Sequence, residues 1–302
     1  MKPLLYLALP FILLTVACET VIEVDTPSEP ARLVVDGIIR VDTTADFLPI
    51  AIKVTETTNF FEEVQPVSDI ENMVIILQVL ENGVPTTSFS RALAELEQGS
   101  GIYEPDPTFD SDQRISVRTV LDNDILFTLV ITHRGRRYAA QTKYVPAVQI
   151  ENLTLGDKTL FNPDETEVVV RYRDMPEVDN YYIFDFGSGN YLATEDTFYK
   201  GQAFEFSYFF DEPLQAGSEL EVRVFGADQS LFNYMNLLVQ QAGDQNGPFG
   251  TPVATVRGNL FEVTDLDNQG TFDSTNTPLL FPLGYFAIVQ EFSKTLLIPN
   301  AD

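Results

Sequence analysis

The sequence predicts a mainly β protein, and three observations carry that prediction. Apolar runs with period two recur between clusters of Gly, Asn, Asp and Pro at intervals of roughly ten residues, the pattern of half-buried strands joined by turns. Helical periodicity is confined to one clear stretch near residues 229–242. Burial must do the work of cross-links: 44% of the 302 residues are hydrophobic, with 23 Phe and 12 Tyr, while a single cysteine leaves no pair for a disulfide. The expected arrangement is an N-terminal immunoglobulin-like or transthyretin-like β-sandwich over residues 32–145. A second β-rich domain over 146–302, carrying one amphipathic helix, completes it.

The chain opens with Lys2, an apolar run from Leu4 to Leu14, and the small or β-branched residues Thr15-Val16-Ala17 directly before Cys18. That is the pattern of a lipoprotein signal peptide over residues 1–17, too short to span a bilayer comfortably. Cleavage before Cys18 is expected, with a diglyceride on its thiol and a palmitate-type chain on the new amine. Thr15 departs from the Leu that usually opens such a box, but Ala17 supplies the small side chain needed next to the cut. Residues 18–31, with Glu19, Glu23, Asp25 and Glu29 interspersed with Pro27 and Pro30, read as an extended acidic tether. Early acidic residues after a lipidated cysteine resemble the surface-export signals of Bacteroidota lipoproteins, so the outer membrane and the cell surface are the expected location.

Strands follow in order. Leu33 to Ile39 is apolar and β-branched; Leu48, Ile50, Ile52 and Val54 share one face; Met73 to Leu80 leads into the tight-turn pair Asn82-Gly83. Gly99 to Tyr103 and Ile115 to Val120 are shorter strand candidates, and Thr87 to Gln98 permits a helical turn through Leu93 and Leu96. The clearest hairpin pairs Ile125–Thr132 with Arg137–Tyr144 across His133-Arg134-Gly135-Arg136. Beyond Pro146 the strand runs are Val148–Leu155, Glu167–Tyr172, Tyr181–Phe186, Phe204–Phe210, Glu219–Phe225, Val253–Val256 and Gly284–Gln290. Asp228 or Ser230 is positioned to cap the helix, whose face carries Leu231, Met235, Leu238 and Ala242 before Gly243.

Charge narrows the function. With 45 acidic against 18 basic residues the net charge is −27, which excludes nucleic acid as a partner and predicts that the body stands off anionic headgroups. One His and one Cys exclude a histidine-rich metal centre, and no cofactor is expected. The run Asp265-Leu266-Asp267-Asn268-Gln269-Gly270-Thr271-Phe272-Asp273 imitates a calcium loop through Asp265, Asp267, Gln269 and Asp273. Asn276 replaces the bidentate acid that such a loop needs, so a solvated acidic loop is the expectation. The clusters Glu62-Glu63, Asp106/Asp110/Asp112 and Asp174/Glu177/Asp179 match a glycosidase only if two of their carboxylates converge, which spacing does not show. Catalysis is therefore not expected.

Two features point to binding instead. His133, Arg134, Arg136 and Arg137 form the one basic spot of an acidic chain, read as a turn whose arginines pair with nearby acids or, more sharply, as a contact for an anionic partner. The aromatic pairs Tyr181-Tyr182 and Tyr285-Phe286, with Tyr191, Phe198-Tyr199 and Tyr208-Phe209-Phe210, are read as core or as a ligand platform. Neighbours on a strand point to opposite faces, so one member of each pair needs cover, and a partner protein would supply it.

Across nearly the whole mature chain, Leu33-Val34-Val35-Asp36-Gly37, Gly101-Ile102-Tyr103, Arg137-Tyr138-Ala139-Ala140, Asn180-Tyr181-Tyr182, Phe232-Asn233-Tyr234, Pro248-Phe249, Gly258-Asn259 and Gly284-Tyr285-Phe286 succeed one another. In that order and spacing they resemble the Bacteroidota lipoproteins of domain of unknown function 4249. The long insertion between Gly258-Asn259 and Gly284-Tyr285-Phe286 departs from the family's pattern. The resemblance implies an outer-membrane lipoprotein of undetermined biochemistry, commonly paired with a TonB-dependent receptor, and brings no catalytic residues. The expected role is a non-catalytic accessory or substrate-binding partner of such a transporter. The alternatives are a structural or assembly component of a surface complex and, behind it, a carboxylate hydrolase.

Overall fold

The computed structural model describes residues 30–58, 63–176, 178–242, 256–264 and 281–300. The protein is mainly β, and its strands form two bodies that share one strand. The first contains β1 (Leu33–Val41), β2 (Ile52–Glu56), β3 (Gln65–Pro66), β4 (Ile70–Glu81), β5 (Val84–Glu95), β6 (Ile102–Pro105), β7 (Ile125–His133) and β8 (Arg136–Val145). The second contains β9 (Ile150–Leu155), β10 (Thr166–Arg173), β11 (Tyr181–Asp185), β12 (Tyr191–Glu195), β13 (Ala203–Phe210) and β14 (Glu219–Ala227). The strand β15 (Leu260–Glu262) lies on β8, and β16 (Leu283–Leu297) belongs to both bodies.

The first body is a barrel-like sheet, not the expected two-sheet sandwich. Its strands run β16-β1-β2-β6-β5-β4-β7-β8, and β8 meets β16 again through Ile288↔Tyr144 and Val289↔Val145. Closure depends on β16, which pairs in parallel with β1 from Val34↔Leu283 to Val41↔Gln290. A parallel neighbour so distant in sequence leaves no turn signal, which is why alternation alone suggested a self-contained sandwich. Leu33, Val35, Ile39 and Val41 of β1 point inward with Ile75 and Leu77 of β4, Phe127 and Leu129 of β7, and Phe286 and Ile288 of β16.

One end of the barrel is plugged. Residues 42–50 and the helix α1 (Val117–Asp122) cover it, with Leu48, Ile50, Ile115, Val117 and Val120 buried in the barrel core. This corrects the strand expected at Ile115–Val120: Val117 and Val120 lie one helical turn apart and both face the core. The helical turn expected within Thr87–Gln98 is likewise strand. β5 pairs with β4 from Met73↔Leu93 to Glu81↔Val84, so sheet pairing overrides the helix-forming residues Ala92 to Glu95. Asn82 and Gly83 both adopt positive φ, 53° and 80°, as a two-residue hairpin turn requires.

Beyond the plugged end, β16 continues into a sheet ordered β12-β11-β14-β16, which faces the three-stranded sheet β13-β10-β9. Tyr172, Tyr182, Phe184, Phe186 and Tyr199 fill the space between these layers, with Phe204, Phe206, Tyr208, Phe210 and Phe292 partly buried around them. The helix α2 (Gln229–Ala242) covers the opposite face of the β11-β14-β16 sheet. Its start is fixed by Asp228, whose Oδ1 accepts the Leu231 N–H at 2.7 Å. Leu231 and Met235 are buried against Ile183, Phe225, Tyr285, Ala287 and Val289.

Candidate functional site

The open end of the barrel gathers the residues most suited to binding. β1 starts there, β2 ends there, and β7 turns into β8 there through Arg134 and Gly135, both at positive φ (49° and 70°). Because Leu33 is registered with Glu56, and His133 with Arg136, the side chains of Arg32, Glu56, His133, Arg134, Arg136 and Tyr138 meet around one cavity. Its volume is about 150 Å³. Phe281 lies at the same mouth, with the guanidinium carbons of Arg32 and Arg257 4.5 and 3.7 Å from its ring centre.

His133 is buried at this mouth rather than exposed on the hairpin tip. Its Nε2 lies 3.4 Å from Glu56 Oε1 and its Nδ1 3.4 Å from the Asp69 carbonyl, both long contacts. Arg134 donates to Glu56 at 2.7 Å and its Nε approaches Asp69 Oδ2 at 3.4 Å. Arg136 donates to both oxygens of Glu262, at 3.2 and 3.1 Å. Glu71 accepts the Gly135 N–H at 2.9 Å, which fixes the turn. Burial beside Glu262 pushes the Tyr138 phenol up.

The other residues singled out in the sequence fall elsewhere. Arg137 is exposed on β8, and its backbone N–H donates to Thr264 Oγ1 at 3.0 Å. Tyr182 is fully buried between the two layers, where its hydroxyl donates to Asp174 at 2.6 Å. Tyr181, on the other face, packs on Phe232 of α2 with ring centres 5.0 Å apart. Phe286 is fully buried in the barrel, whereas Tyr285 packs on Tyr234 of α2, also at 5.0 Å. Helix α2 therefore covers the first member of each pair, Tyr181 and Tyr285, and these aromatics are interior packing rather than a ligand platform. The sequence already carried the signal: an amphipathic helix with a Phe232-Asn233-Tyr234 stretch needs an apolar sheet face to lie on.

Asp106, Asp112, Asp174 and Asp179 of the acidic clusters are each engaged in local structure. Asp112 grips the Arg114 guanidinium at 2.7 Å, which holds its carboxyl at about 2, far too acidic to deliver a proton. Asp106 accepts the Thr108 N–H at 2.8 Å in a local turn, and Asp179 pairs with Lys200. Asp174 is buried between the Tyr182 hydroxyl and the Gly201 N–H, 2.7 Å away. Among the described residues no group of three His, Cys, Asp or Glu side chains is arranged to hold a metal ion. Cys18, Glu62, Glu177, Asp265, Asp267, Gln269 and Asp273 lie outside the described residues.

Sequence spacing missed Arg32, Glu56 and Tyr138 as neighbours of the basic hairpin, because only the strand register joins them. Residues 19–271 match the family model described as Domain of unknown function (DUF4249). The chain belongs to that family. No curated protein matches it significantly.

Proposed function

We propose that this chain is an outer-membrane lipoprotein, held at the cell surface by acyl chains on Cys18, that serves as a non-catalytic accessory or substrate-binding partner of a TonB-dependent transporter. The observation that carries the reading is the exposure of Phe161 and Phe198, 95% and 92% accessible, on turns of the two-layer body. Leu160, next to Phe161, and Val178 are exposed as well, at 61% and 56%. These turns are held in shape: Glu165 accepts the Phe161 N–H at 3.2 Å, and the Phe198 turn is closed by Tyr199 N–H to the Asp196 carbonyl at 2.9 Å. Rigid presentation of large apolar side chains suits contact with another protein, since it lowers the entropy lost on docking.

The tether favours the same reading. The described chain starts at Pro30, at the barrel mouth, and the residues from Cys18 to Pro30 reach at most roughly 40 Å. Attachment at that end directs the two-layer body away from the membrane surface. The test is affinity purification of the lipidated protein from membranes in mild detergent, with mass spectrometry of both the Cys18 terminus and the co-purifying proteins. A TonB-dependent barrel is expected in the eluate, with recovery falling about fivefold for Phe161→Ser combined with Phe198→Ser. An unlipidated Cys18, or an eluate without such a barrel, overturns the reading.

A further inference from the structure

We propose that the barrel mouth is a binding pocket for a phosphate-type oxyanion, held by Arg32, Arg134, Arg136 and the Tyr138 hydroxyl. Four features of the cavity support it. Three guanidinium groups and one carboxylate, Glu56, line it, with Asp69 and Glu262 pairing with Arg134 and Arg136 beside it, in a chain that carries 45 acidic and 18 basic residues. Such a concentration of guanidinium groups around one concave place makes it less negative than the rest of an acidic surface.

Size limits the ligand. A volume of about 150 Å³ accommodates one tetrahedral oxyanion with a few waters, and falls short of the roughly 300–1,000 Å³ typical of pockets for drug-sized molecules. A phosphate group is therefore the unit recognised, with anything esterified to it lying outside.

Donor chemistry fits as well. A guanidinium offers five N–H donors in a planar fork; Arg134 directs Nη1 at Glu56 and Nε at Asp69, and Arg136 spends Nη1 on Glu262. Further donors on each fork remain for a second acceptor, and bidentate contact with phosphate is the geometry arginine favours. His133 is buried behind them, with Nε2 3.4 Å from Glu56 and Nδ1 3.4 Å from the Asp69 carbonyl.

The framework, finally, is rigid. Arg136 and Tyr138 stand on a paired strand, and Arg134 sits in a turn clamped by Glu71. Arg32 is braced by the Phe281 ring. A preformed set of donors loses little entropy on binding.

Two sources can present a phosphate to this mouth. One is the headgroup layer of a membrane, which attachment through the preceding residues would bring to this end; the other is a soluble phosphate ester. The recognition chemistry is the same and does not depend on whether Cys18 is lipidated.

The experiment uses the mature protein in detergent with three probes: inorganic phosphate, glycerol 3-phosphate, and vesicles of phosphatidylethanolamine with or without phosphatidylglycerol. Binding is followed by calorimetry and thermal shift against sodium chloride of equal ionic strength, and by vesicle flotation. Phosphate is expected to bind saturably, and Arg134→Gln with Arg136→Gln to weaken it about tenfold or more. Glu56→Gln, which frees Arg134 from its competitor, is expected to tighten it, an effect of opposite sign that misfolding would not produce. Binding of the soluble probes without preference for phosphatidylglycerol vesicles assigns the pocket to a soluble ester; binding to those vesicles assigns it to headgroups. Absence of binding by every probe, or equal binding by wild type and the double arginine variant, overturns the proposal.

Discussion

The barrel and the two-layer body solve the same burial problem with different side chains. The barrel interior is built from Val, Ile and Leu, with Tyr103, Phe127, Tyr138 and Phe286 its aromatics. Between the layers rings take a much larger share, Tyr172, Tyr182, Phe184, Phe186 and Tyr199 beside seven buried aliphatics, with five more rings partly buried at the rim. A sheet that curls on itself surrounds its core, so branched aliphatics fill it. Two short sheets enclose less, and large rings bury 150–250 Å² each from few positions. The cost of using tyrosine is that hydroxyls enter the interior and need partners. Tyr172 and Tyr199 satisfy each other at 2.8 Å, and Tyr182 is satisfied by the buried Asp174. Aromatic richness in the second half of the chain thus reflects shallow enclosure rather than a surface for ligands.

The largest break in that comparison is expected where the bodies share β16. Gly284 has φ of 94°, and a Cβ there would collide with the Val35 carbonyl oxygen of β1. Gly284→Ala should remove about 4 kcal/mol or more of stability and lower both bodies together, read as one earlier transition in urea by far- and near-ultraviolet circular dichroism. Two separated transitions would mean that the bodies are energetically independent.

Next in size is a matched pair of core truncations. Tyr172 touches five other rings, with centres 5.3–6.4 Å away, and Tyr172→Ala should cost about 3–5 kcal/mol. Leu129→Ala, in the barrel, should cost about 2–5 kcal/mol. The contrast is sharpened by Tyr172→Phe, which keeps the ring and leaves only the Tyr199 hydroxyl short of a partner, at about 1 kcal/mol. A Phe substitution as damaging as the Ala one would show that the hydroxyl pair, not ring packing, holds the layers.

The smallest effect concerns pH. Hydrogen bonds from the Ser207 hydroxyl and the Lys158 N–H hold Glu167 below the usual carboxylate range. Its contribution to stability is complete above the unfolded value of about 4.3 and fades as pH falls through the lower folded value. Glu291, where the two bodies meet, behaves oppositely. Burial, with a smaller push from the nearby Asp185 charge, raises its pKa despite Arg40 at 3.2 Å. Its protonation favours the fold, so stability is gained as pH falls through the raised value. Between pH 7 and 3, Glu167→Gln should flatten the acid loss of stability and Glu291→Gln should steepen it, measured as urea midpoints at each pH. Matching slopes for the two variants would contradict the assignment.

Local features were legible in the sequence for a physical reason: they are encoded by neighbours. The Asn82-Gly83 turn, the β7–β8 hairpin and the helix capped by Asp228 all follow from residues within a few positions of one another. What the sequence did not disclose is long-range. Closure of the barrel by β16 and the meeting of Arg32 with Glu56 and Arg136 depend on register between distant strands, and the expected sandwich failed on the first of these. The aromatic pairs show the intermediate case. Alternation gave the correct rule, that adjacent rings face opposite ways, but left open which element lies over each face, and helix α2 turned out to cover one.

The shared strand also sets how the molecule would carry load. A pull applied at Pro30 draws β1 toward the mouth, while resistance from the two-layer body holds β16 from its far end. Parallel strands loaded from opposite ends slide along each other, so the register from Val34↔Leu283 to Val41↔Gln290 shares the force across all its hydrogen bonds at once instead of opening them one after another. The joint between the two bodies is for that reason built like a lap seam, strongest along the line that connects Pro30 to the far end of β16.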